Sequence, residues 1–450
     1  MWFRRDLRLD DNPAWSAAAA THREIVPLFV LDPRLFAAAG PFRRRQLIGD
    51  LTALDLRLRA LGGCLRVVQG DAVEVLALEA TKLQSDSVFV NLDVSPLARR
   101  RDTAVATTLA AGGITWHGSW GGLVHAPGTV RTARGTLSQV FTPYWHAWRT
   151  TTPQPWVTIA PQELTGRVAA QPEAALPKAD GLAPYPGGEF GAQERLHLAH
   201  DLVDDYPAHR DQPSIDGTTQ LSAALRFGTI SPRRIIDSLG MHTPGRDAVA
   251  RQLAWRDWFA HIAWEHPDLA SCAMRPEYDQ IAWRDDEAGF EAWRAGRTGY
   301  PIVDAGMREL AQTGWMHGRV RMIAASFLVK HLLIDWRRGE RWFRTTLVDG
   351  EFSQNAGNWQ WVAGTGLGAA PYFRVFNPTT QAKRFDADGT YVKRWIPELR
   401  TVDARRVHEP WLLDAAELPP DYPPPLVDHK VARARCLAAY AAARDRSTSR

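Results

Sequence analysis

Short apolar runs alternate with helical patterns along the first part of the chain. The apolar or β-branched runs cover residues 23–33, 64–71, 87–94 and 114–120. Between them, apolar residues recur at helical spacing in residues 42–61, 72–83 and 97–111. Strands that alternate with helices favour a parallel sheet covered by helices on both faces. The pattern therefore predicts a doubly wound α/β domain over residues 1–125, whose first strand contains Met1.

The next region, residues 126–195, loses both patterns. It is rich in proline, alanine and glycine, as in "AAQPEAALPKADGLAPYPGGEFGAQ". This composition is typical of irregular connections that run over a protein surface. We therefore expect a long and mostly irregular interdomain linker in this part of the chain.

From residue 196 onward the pattern becomes helical. Residues 249–267 keep apolar positions at helical spacing and end at a proline. Residues 320–343 are apolar on nearly every side, which predicts one buried helix. Prolines interrupt the chain after residue 412, before a last helical run. These features predict an all-helical C-terminal domain over residues 196–442.

The composition is that of an ordinary globular protein, with 450 residues, 45% hydrophobic and 23% charged. Cys64, Cys272 and Cys436 are too far apart for a CxxC metal site, and we expect no metal. Reduced thiols, a charged N-terminal stretch and the lack of a long apolar run predict a cytoplasmic protein without a membrane segment. A net charge of +4 permits a polyanionic partner.

Tryptophan is unusually frequent, with 19 in the chain. Clustered tryptophans pack cores, but they also stack on flat ligands or bases. Trp359 and Trp361 are separated by one residue in the polar stretch "SQNAGNWQWVAGTG". Residues two apart point nearly opposite ways on a helix and share a face on a strand. The pair therefore serves either two sites or one, depending on the element that carries it.

Three hydroxyl residues precede a helical run in "DGTTQLSAALRFGTISP", residues 216–232. They are Thr218, Thr219 and Ser222. Hydroxyl groups and free amides at the start of a helix can bind an anion such as phosphate. The same residues can also serve as ordinary helix caps, so both interpretations stay open at this point.

Arginines near the predicted buried helix also have two interpretations. Arg319 and Arg321 lie two residues apart, so they point to different sides of that helix. A buried arginine needs a carboxylate, and Asp349 or Glu351 can supply it. The group is therefore either a structural ion pair or part of a functional site.

A third group lies on the predicted helix over residues 249–267. Gln252, Trp255 and Arg256 fall on adjacent turns of this helix. Core packing readily explains Trp258 and Trp264, further along the same helix, but it explains a Gln-Trp-Arg group less well.

Together these segments resemble the photolyase/cryptochrome flavoproteins over almost the whole chain, and most closely the class I enzymes that repair cyclobutane pyrimidine dimers. The motifs that carry the resemblance are "WFRRDLRLDDN" (2–12), "DGTTQLSAALRFGTISP" (216–232), "QLAWRDWF" (252–259), "GRTGYPIVDAGMRELAQTGWMHGRVRM" (296–322), "SFLVKHLLIDWRRGERWF" (326–343) and "NWQWVAGTG" (358–366). The resemblance implies an α/β N-terminal domain and a helical C-terminal domain that binds FAD. It also implies light-driven repair of UV-damaged DNA by electron transfer from reduced FAD.

The resemblance implies flavin contacts residue by residue. Asn355 would face the flavin N5. Asp349, paired with Arg321, and Glu351 would flank the isoalloxazine ring. The residues expected to hold the flavin phosphates are Tyr206, Thr218, Thr219, Gln220, Leu221 and Ser222.

The resemblance also gives the two neighbouring tryptophans separate roles. Trp359 matches the first member of the family's electron relay, followed by Trp336 and Trp283. Trp361 would line the pocket that receives the flipped lesion, opposite Trp255. The other residues expected to contact the lesion or the DNA backbone are Arg210, Gln252, Arg256, Gly318, Arg319 and Met322.

The chain departs from the dimer-repair pattern at two important positions. Gln252 replaces a usual Glu and loses its charge and its removable proton. Gly318 replaces a usual Asn and loses hydrogen bonds to a thymine edge. Glu351 for a usual Asp and Asn358 for a usual Gly are milder changes. These departures predict poor repair, and they leave two alternatives: a cryptochrome-like blue-light photoreceptor, or a DNA-binding flavoprotein with reduced or lost repair.

A second, light-harvesting chromophore is also implied by the resemblance. Folate-binding relatives carry an Asn-Glu pair where this chain has Ser95 and Pro96. The stretch "LDVSPLARRRD" is more similar to the deazaflavin-binding type. We therefore expect a deazaflavin-type antenna and a monomer that acts on UV-damaged DNA.

Overall fold

The computed structural model describes residues 1–155, 159–170, 176–368, 374–414, 417 and 419–448. Two parts of the predicted linker, residues 156–158 and 171–175, therefore lie outside the described residues. In the part of the chain that is described, no helix has the length and apolar character needed to cross a membrane.

Five parallel strands form one sheet near the N-terminus. They are β1 (Trp2–Phe3), β2 (Leu28–Leu31), β3 (Arg66–Gln69), β4 (Ser87–Asn91) and β5 (Thr115–Ser119). The strand order is β3-β2-β1-β4-β5, so the chain winds first to one side of β1 and then to the other. Trp2 pairs with Leu28 on one side and with Val90 on the other. The predicted doubly wound parallel sheet is confirmed.

Helices make up most of the remaining described chain. The first seven are α1 (Pro13–Thr21), α2 (Pro33–Ala38), α3 (Pro41–Arg59), α4 (Ala72–Lys82), α5 (Pro96–Ala111), α6 (Phe141–Thr150) and α7 (Gly188–Leu202). The next six are α8 (Tyr206–His209), α9 (Ser222–Phe227), α10 (Pro232–Leu239), α11 (Pro244–Glu265), α12 (Glu287–Arg294) and α13 (Pro301–Thr313). The last six are α14 (Gly318–Ser326), α15 (Trp336–Thr346), α16 (Phe352–Ala363), α17 (Pro378–Phe385), α18 (Thr390–Trp395) and α19 (His429–Thr448).

Alternating side chains of the strands supply two apolar layers, one on each face of the sheet. Phe3 belongs to the layer formed with α1 and α3, where its ring lies 5.7 Å from that of Trp15. Trp2 points the other way and belongs to the layer that contains Leu76 of α4 and Val105 of α5. Successive residues of a strand face opposite sides, so two residues of β1 are enough to serve both layers.

Short polar side chains cap α11 and α15, two of the helices that carry candidate site residues. Thr243 caps α11, because its hydroxyl accepts a hydrogen bond from the Arg246 amide at 3.3 Å. Asp335 caps α15 by accepting from the Arg337 amide at 2.9 Å. Such caps satisfy amides that the first turn of a helix leaves unpaired.

The prediction of one helix over residues 320–343 is wrong. Helix α14 ends at Ser326, a π-helical turn covers Phe327–His331, and α15 begins at Trp336. Between them Leu333 has a φ of 54°, a left-handed conformation that is strained for leucine. Because residues 323–334 are buried without a break and α15 buries one face, the apolar pattern does not reveal the interruption.

The expectation of a mostly irregular linker is also wrong for part of that region. Helix α6 lies inside it, and four of its aromatic side chains are buried: Phe141, Tyr144, Trp145 and Trp148. They recur at i, i+3, i+4 and i+7, which is the spacing of one helix face. Helix α7 also begins inside the predicted linker, at Gly188. The proline and alanine in the rest of the predicted linker obscured the helical spacing of these aromatic residues.

The chain divides into two compact units. The first unit, which contains the sheet, consists of Met1–Asp204, Thr219–Pro267 and Val348–Ser353. The second unit consists of Asp205–Thr218, Asp268–Leu347 and Gln354–Arg450, and its described elements are helical. Residues of the predicted C-terminal domain occur in both units. The boundaries at residues 125 and 195 therefore stay a prediction.

Candidate functional site

Helix α11 in the first unit carries three of the residues singled out from the sequence. Gln252 and Trp255 are half-buried, and the Gln252 amide donates to the Ala248 carbonyl at 3.3 Å. Arg256 is only 9% exposed and donates to the carbonyl oxygen of Gly122. The helix therefore keeps Gln252 and Trp255 accessible and turns Arg256 inward.

Arg256 belongs to a buried charge cluster of the first unit, formed by Arg5, Asp93, Arg256 and Glu351. Arg5 bridges the carboxylates of Asp93 and Glu351, with a nitrogen–oxygen distance of 2.7 Å to each. Arg256 approaches the other carboxylate oxygen of Glu351 at 3.3 Å. Two cations and two anions thus compensate the cost of burying each charge.

The cluster keeps its members charged. Burial would raise the pKa of Glu351, but the guanidinium groups of Arg256, Arg5 and Arg226 outweigh it and hold that pKa below its usual range. Burial alone would lower the pKa of Arg5. The carboxylates of Glu351 and Asp93 outweigh the effect of burial and raise that pKa. Glu351, which the resemblance puts beside the flavin ring, is thus engaged by two arginines, and the burial of Arg256 argues against contact with DNA phosphates.

Trp255 lies among other aromatic rings of the first unit. Its ring stacks on that of Phe141, with centroids 3.6 Å apart and planes inclined by 11°. Trp258 meets it edge-on at 5.2 Å, and Phe259 lies at 5.6 Å. One face and part of the edge of the indole are therefore covered, while Trp255 as a whole stays half-buried.

Asp257 ties α11 to α6 and to the chain before it. Its fully buried carboxylate accepts hydrogen bonds from the Trp148 indole nitrogen at 2.9 Å and from the amides of Val124 and His125 at 3.1 and 3.0 Å. Burial outweighs these hydrogen bonds and raises the pKa of Asp257 to about 6. Asp257 therefore fixes the position of α6 relative to α11.

A tight turn precedes α9 in the first unit. Gln220 has a φ of 48°, in the left-handed region, and Arg195 holds the turn by donating to the Thr219 carbonyl at 2.9 Å. Ser222 is the first residue of α9, and the N-cap residue is Leu221, whose side chain cannot accept a hydrogen bond. The interpretation that the hydroxyls are ordinary caps therefore does not hold for α9.

Helix α16 resolves the question raised by the neighbouring tryptophans. Trp359 is 2% exposed, whereas Trp361 is half-buried. Between them, the buried Gln360 side chain donates to the carbonyls of Leu269 and Cys272 at 2.7 and 2.8 Å. Because residues two apart on a helix point about 200° apart, this anchor directs one indole inward and the other outward. The two indoles therefore have different surroundings, as two separate sites would require.

The Asn355 side chain, on the same helix, has a fixed orientation. Its amide nitrogen donates to the backbone oxygen of Glu340 at 2.8 Å and to the Oε1 atom of Glu340 at 2.9 Å. Burial raises the pKa of Glu340, although the cation of Arg344 opposes this. Both amide protons are thus committed, and the Oδ1 acceptor is the end of Asn355 that can face a ligand.

Trp359 is enclosed by aromatic rings of the second unit. Phe343 and Trp293 both meet it edge-on, at centroid distances of 5.1 and 6.2 Å. The same core contains the buried Trp336, and the half-buried Trp283 packs against it. The three tryptophans expected to form a relay therefore share one core. Trp293 was missed because no motif marks it in the sequence.

The start of α14 contains the second position that departs from the family pattern. Gly318 is exposed, and a Cβ atom placed on it would have no heavy atom of the described residues within 4 Å. His317 caps the helix by accepting from the Arg319 amide at 3.2 Å. Met322 is half-buried, and its sulfur lies 3.8 Å from a guanidinium nitrogen of Arg319. The backbone at Gly318 can therefore accept a larger side chain.

Two arginines of the second unit, both expected to contact DNA, lie near one carboxylate. Arg319 pairs with Asp211 at 2.9 Å, and its guanidinium lies 4.5 Å from the centre of the Phe385 ring. Arg210 approaches Asp211 at 4.0 Å and covers the ring of Tyr206, one of the expected flavin contacts, at 5.4 Å. Both arginines are partly exposed and remain accessible to an anion.

Three further residues expected to contact the flavin are partly or fully buried. Thr218 is half-buried, and Asp349 is buried. Arg321 donates through Nε to the Met316 carbonyl at 2.7 Å. The pairing of Asp349 with Arg321 stays a prediction.

Two protein families match the chain. Residues 1–162 match the family described as DNA photolyase, and residues 249–442 match the FAD binding domain of DNA photolyase. Together they cover the strands of the sheet, most of α11 and the helices of the second unit from α12 to the middle of α19.

Relatives and solved structures match over nearly the whole chain. A deoxyribodipyrimidine photo-lyase of Agrobacterium fabrum is 39% identical, over 98% of this chain and 97% of its own. The crystal structure of a bacterial class III photolyase from Agrobacterium tumefaciens has a TM-score of 0.89 and 37% identity, and the match covers 99% of this chain and 97% of that one. A cryptochrome of Synechocystis has a TM-score of 0.90 and 28% identity, and the match covers 97% and 98%.

Proposed function

The chain belongs to the DNA photolyase family, and from this premise we propose that it is a deoxyribodipyrimidine photo-lyase, which uses light and bound FAD to split cyclobutane pyrimidine dimers in DNA. The observation that carries the proposal is helix α16. It combines an oriented amide at Asn355, an enclosed indole at Trp359 and an accessible indole at Trp361. Because a class III enzyme is among the similar structures, the assignment to class I stays a prediction.

The residues present fit a flavin. Both amide protons of Asn355 are held by Glu340, so its Oδ1 is directed as an acceptor, which suits the protonated N5 of a reduced flavin. When bound, FAD supplies light-driven one-electron transfer. The residues proposed to hold it are Tyr206, Thr218, Thr219, Gln220, Leu221, Ser222, Arg321 and Asp349, with Asn355 at the ring.

Glu351 has a different proposed role from the one that the resemblance implies. Its two carboxylate oxygens are engaged by Arg5 and Arg256. We therefore propose that it supports the neighbouring Asp349 through a neutralised, rigid cluster rather than by binding FAD itself. Arg256 is proposed to act in the same way, through its ion pair with Glu351.

Electron supply is proposed to run through Trp359, Trp336 and Trp283. The first two indoles are buried in one core, and Trp283 is partly exposed at the side of that core. Enclosure keeps water from reorganising around a charge that passes along the rings. Trp283 is therefore the member able to exchange electrons with a reductant in solution.

The residues proposed to contact the lesion are half-buried or exposed. On α11 these are Gln252 and Trp255, and in the second unit they are Gly318, Met322 and Trp361. Base stacking on an indole is worth about 1–3 kcal/mol, which suits Trp255 and Trp361. Arg210 and Arg319 are proposed to bind DNA phosphates.

The function is tested with an oligonucleotide that contains one thymine dimer. Reduced protein and blue light should restore the thymine absorbance, whereas the dark sample and an undamaged strand should not change. Gln252→Glu combined with Gly318→Asn should raise the repair yield and the affinity for the lesion, because both positions regain a polar partner and the space at Gly318 is open. If the wild type leaves the dimer intact under all these conditions while its flavin is photoreduced, the protein is a photoreceptor or a non-repairing flavoprotein.

The photoreceptor alternative has less support. The cryptochrome match is 28% identical, whereas the photo-lyase match is 39% identical over a similar length. We further propose a cytoplasmic monomer. A deazaflavin-type antenna chromophore is proposed from the resemblance of residues 92–102 alone.

A further inference from the structure

Helix α6, which the sequence presents as part of a linker, packs against α11. We propose that Phe141 is a positioning residue for the lesion: it backs Trp255, so that the face of the indole opposite Phe141 is held ready to stack on a flipped pyrimidine dimer. The inference rests on the proposed repair function and adds a residue to it.

The first support is the geometry of the stack. The rings of Phe141 and Trp255 are nearly parallel, at 11°, and their centroids are 3.6 Å apart. The other neighbours of Trp255 meet it edge-on or tilted, at 5.2 and 5.6 Å. Among the described residues, Phe141 is thus the ring that lies flat on one face of this indole. The exposed part of Trp255 lies elsewhere on the indole surface.

The second support is the rigidity of the helix that carries Phe141. Trp148, on the same face of α6, donates its indole proton to the buried Asp257 of α11 at 2.9 Å. Tyr144, between them, lies edge-on to His261 of α11 at 5.5 Å. Phe141 is therefore held against α11 by two contacts that do not involve Trp255.

The third support is that Phe141 spans one helical turn of α11. Arg251 and Trp255 lie four residues apart on one face, and the guanidinium of Arg251 lies 5.6 Å from the centre of the Phe141 ring. Phe141 thus packs against both, and it limits the rotation of Trp255 about its side-chain bonds. An indole fixed before binding loses less entropy when a ligand stacks on it.

The test replaces Phe141 by Leu, which keeps an apolar side chain and removes the ring, and by Tyr, which keeps the ring. Binding is measured in the dark with a duplex that carries one thymine dimer and with the same duplex undamaged. For Phe141→Leu we expect roughly threefold to tenfold weaker binding of the damaged duplex, the range of an aromatic pair, and unchanged binding of the undamaged one. Phe141→Tyr should bind both as the wild type does.

A double-mutant cycle separates positioning from general loosening of the fold. If Phe141 acts through Trp255, Phe141→Leu should add little to the loss caused by Trp255→Ala. Phe89→Leu is the matched control: it removes an equally buried phenyl ring from β4, where it stacks on His117 with centroids 4.4 Å apart, and it should leave the preference for the damaged duplex intact.

The outcomes are distinct. Wild-type binding by Phe141→Leu, or an equal loss in the Trp255→Ala background, would overturn the role of Phe141 and leave the repair function standing. An equal loss of affinity for the damaged and the undamaged duplex would also overturn the role of Phe141, because a general loosening of the fold weakens the binding of both. If the wild type itself shows no preference for the damaged duplex, the proposed function fails, and the role of Phe141 fails with it.

Discussion

Trp255 in the first unit and Trp359 in the second are both held by aromatic rings, but to different degrees. Trp359 is enclosed, with Phe343 and Trp293 edge-on to it. Trp255 is stacked on one face by Phe141 and stays half-buried. An indole that passes electrons needs fixed distances and dry surroundings, whereas an indole that receives a ligand needs a free face. The difference in enclosure is what the two proposed uses of these tryptophans require.

The sharpest test of the contrast is truncation. Trp359→Ala removes a fully packed ring and should lower the free energy of unfolding by about 3–5 kcal/mol. Trp255→Ala should cost about half of that or less, since part of the ring already faces solvent. Denaturant unfolding followed by circular dichroism measures both. Equal losses would mean that the two indoles are equally enclosed, against the comparison.

Adding a methyl group tests how tightly each unit is packed, at Gly339 beside Trp359 and at the exposed Gly318. A Cβ atom on Gly339 would clash with the Trp359 ring, so Gly339→Ala should destabilise the protein by about 1–3 kcal/mol. Gly318→Ala is the matched control, because a Cβ atom there meets open space and the residue is helical. Its stability should equal or slightly exceed that of the wild type. A tolerated Gly339→Ala would contradict close packing around Trp359.

Photoreduction should depend on one indole and not on the other. Trp359→Phe should slow flavin photoreduction in the presence of an external reductant by at least about tenfold, equivalent to about 1.4 kcal/mol in the barrier. Trp255→Phe should photoreduce at the wild-type rate and should bind the damaged duplex more weakly. The bleaching of the oxidised flavin band under blue light gives the rate. A wild-type rate for Trp359→Phe would remove it from the relay.

The packing behind Trp255 should also make the stability of the protein depend on pH. Asp257 has a folded-state pKa of about 6, raised mainly by burial above its usual 3.8. Its contribution to stability is therefore present below about pH 4 and is lost as the pH rises through 6. The wild type should lose stability relative to Asp257→Asn between pH 4 and pH 6. A flat difference over this range would mean that Asp257 is charged throughout.

The parts of the fold that follow local patterns were predictable. The alternation of strands and helices up to residue 120 gave the sheet, and the helical spacing of residues 249–267 gave most of α11. The separation of Trp359 and Trp361 followed from helix geometry once α16 was known to be helical. These features depend on residues close together in sequence.

The parts that depend on distant partners were not predictable. Arg5 is neutralised by Asp93 and Glu351, which are far from it in the chain, so nothing near Arg5 marks its role. The stack of Phe141 on Trp255 joins a region read as a linker to a helix more than a hundred residues away. The burial of Arg256 likewise reflects neighbours that no local pattern contains.

The end of helix α16 has a practical consequence for anyone who attaches a reporter to this protein. The carbonyl oxygen of its last residue, Ala363, accepts hydrogen bonds from the Lys330 ammonium and from the Tyr440 hydroxyl, each at 2.7 Å. Tyr440 belongs to α19, the last helix of the chain. A fluorescent tag or a deletion that displaces α19 would therefore remove one of the two hydrogen bonds at the end of α16, the helix that carries Asn355 and Trp359, so a reporter is better attached elsewhere.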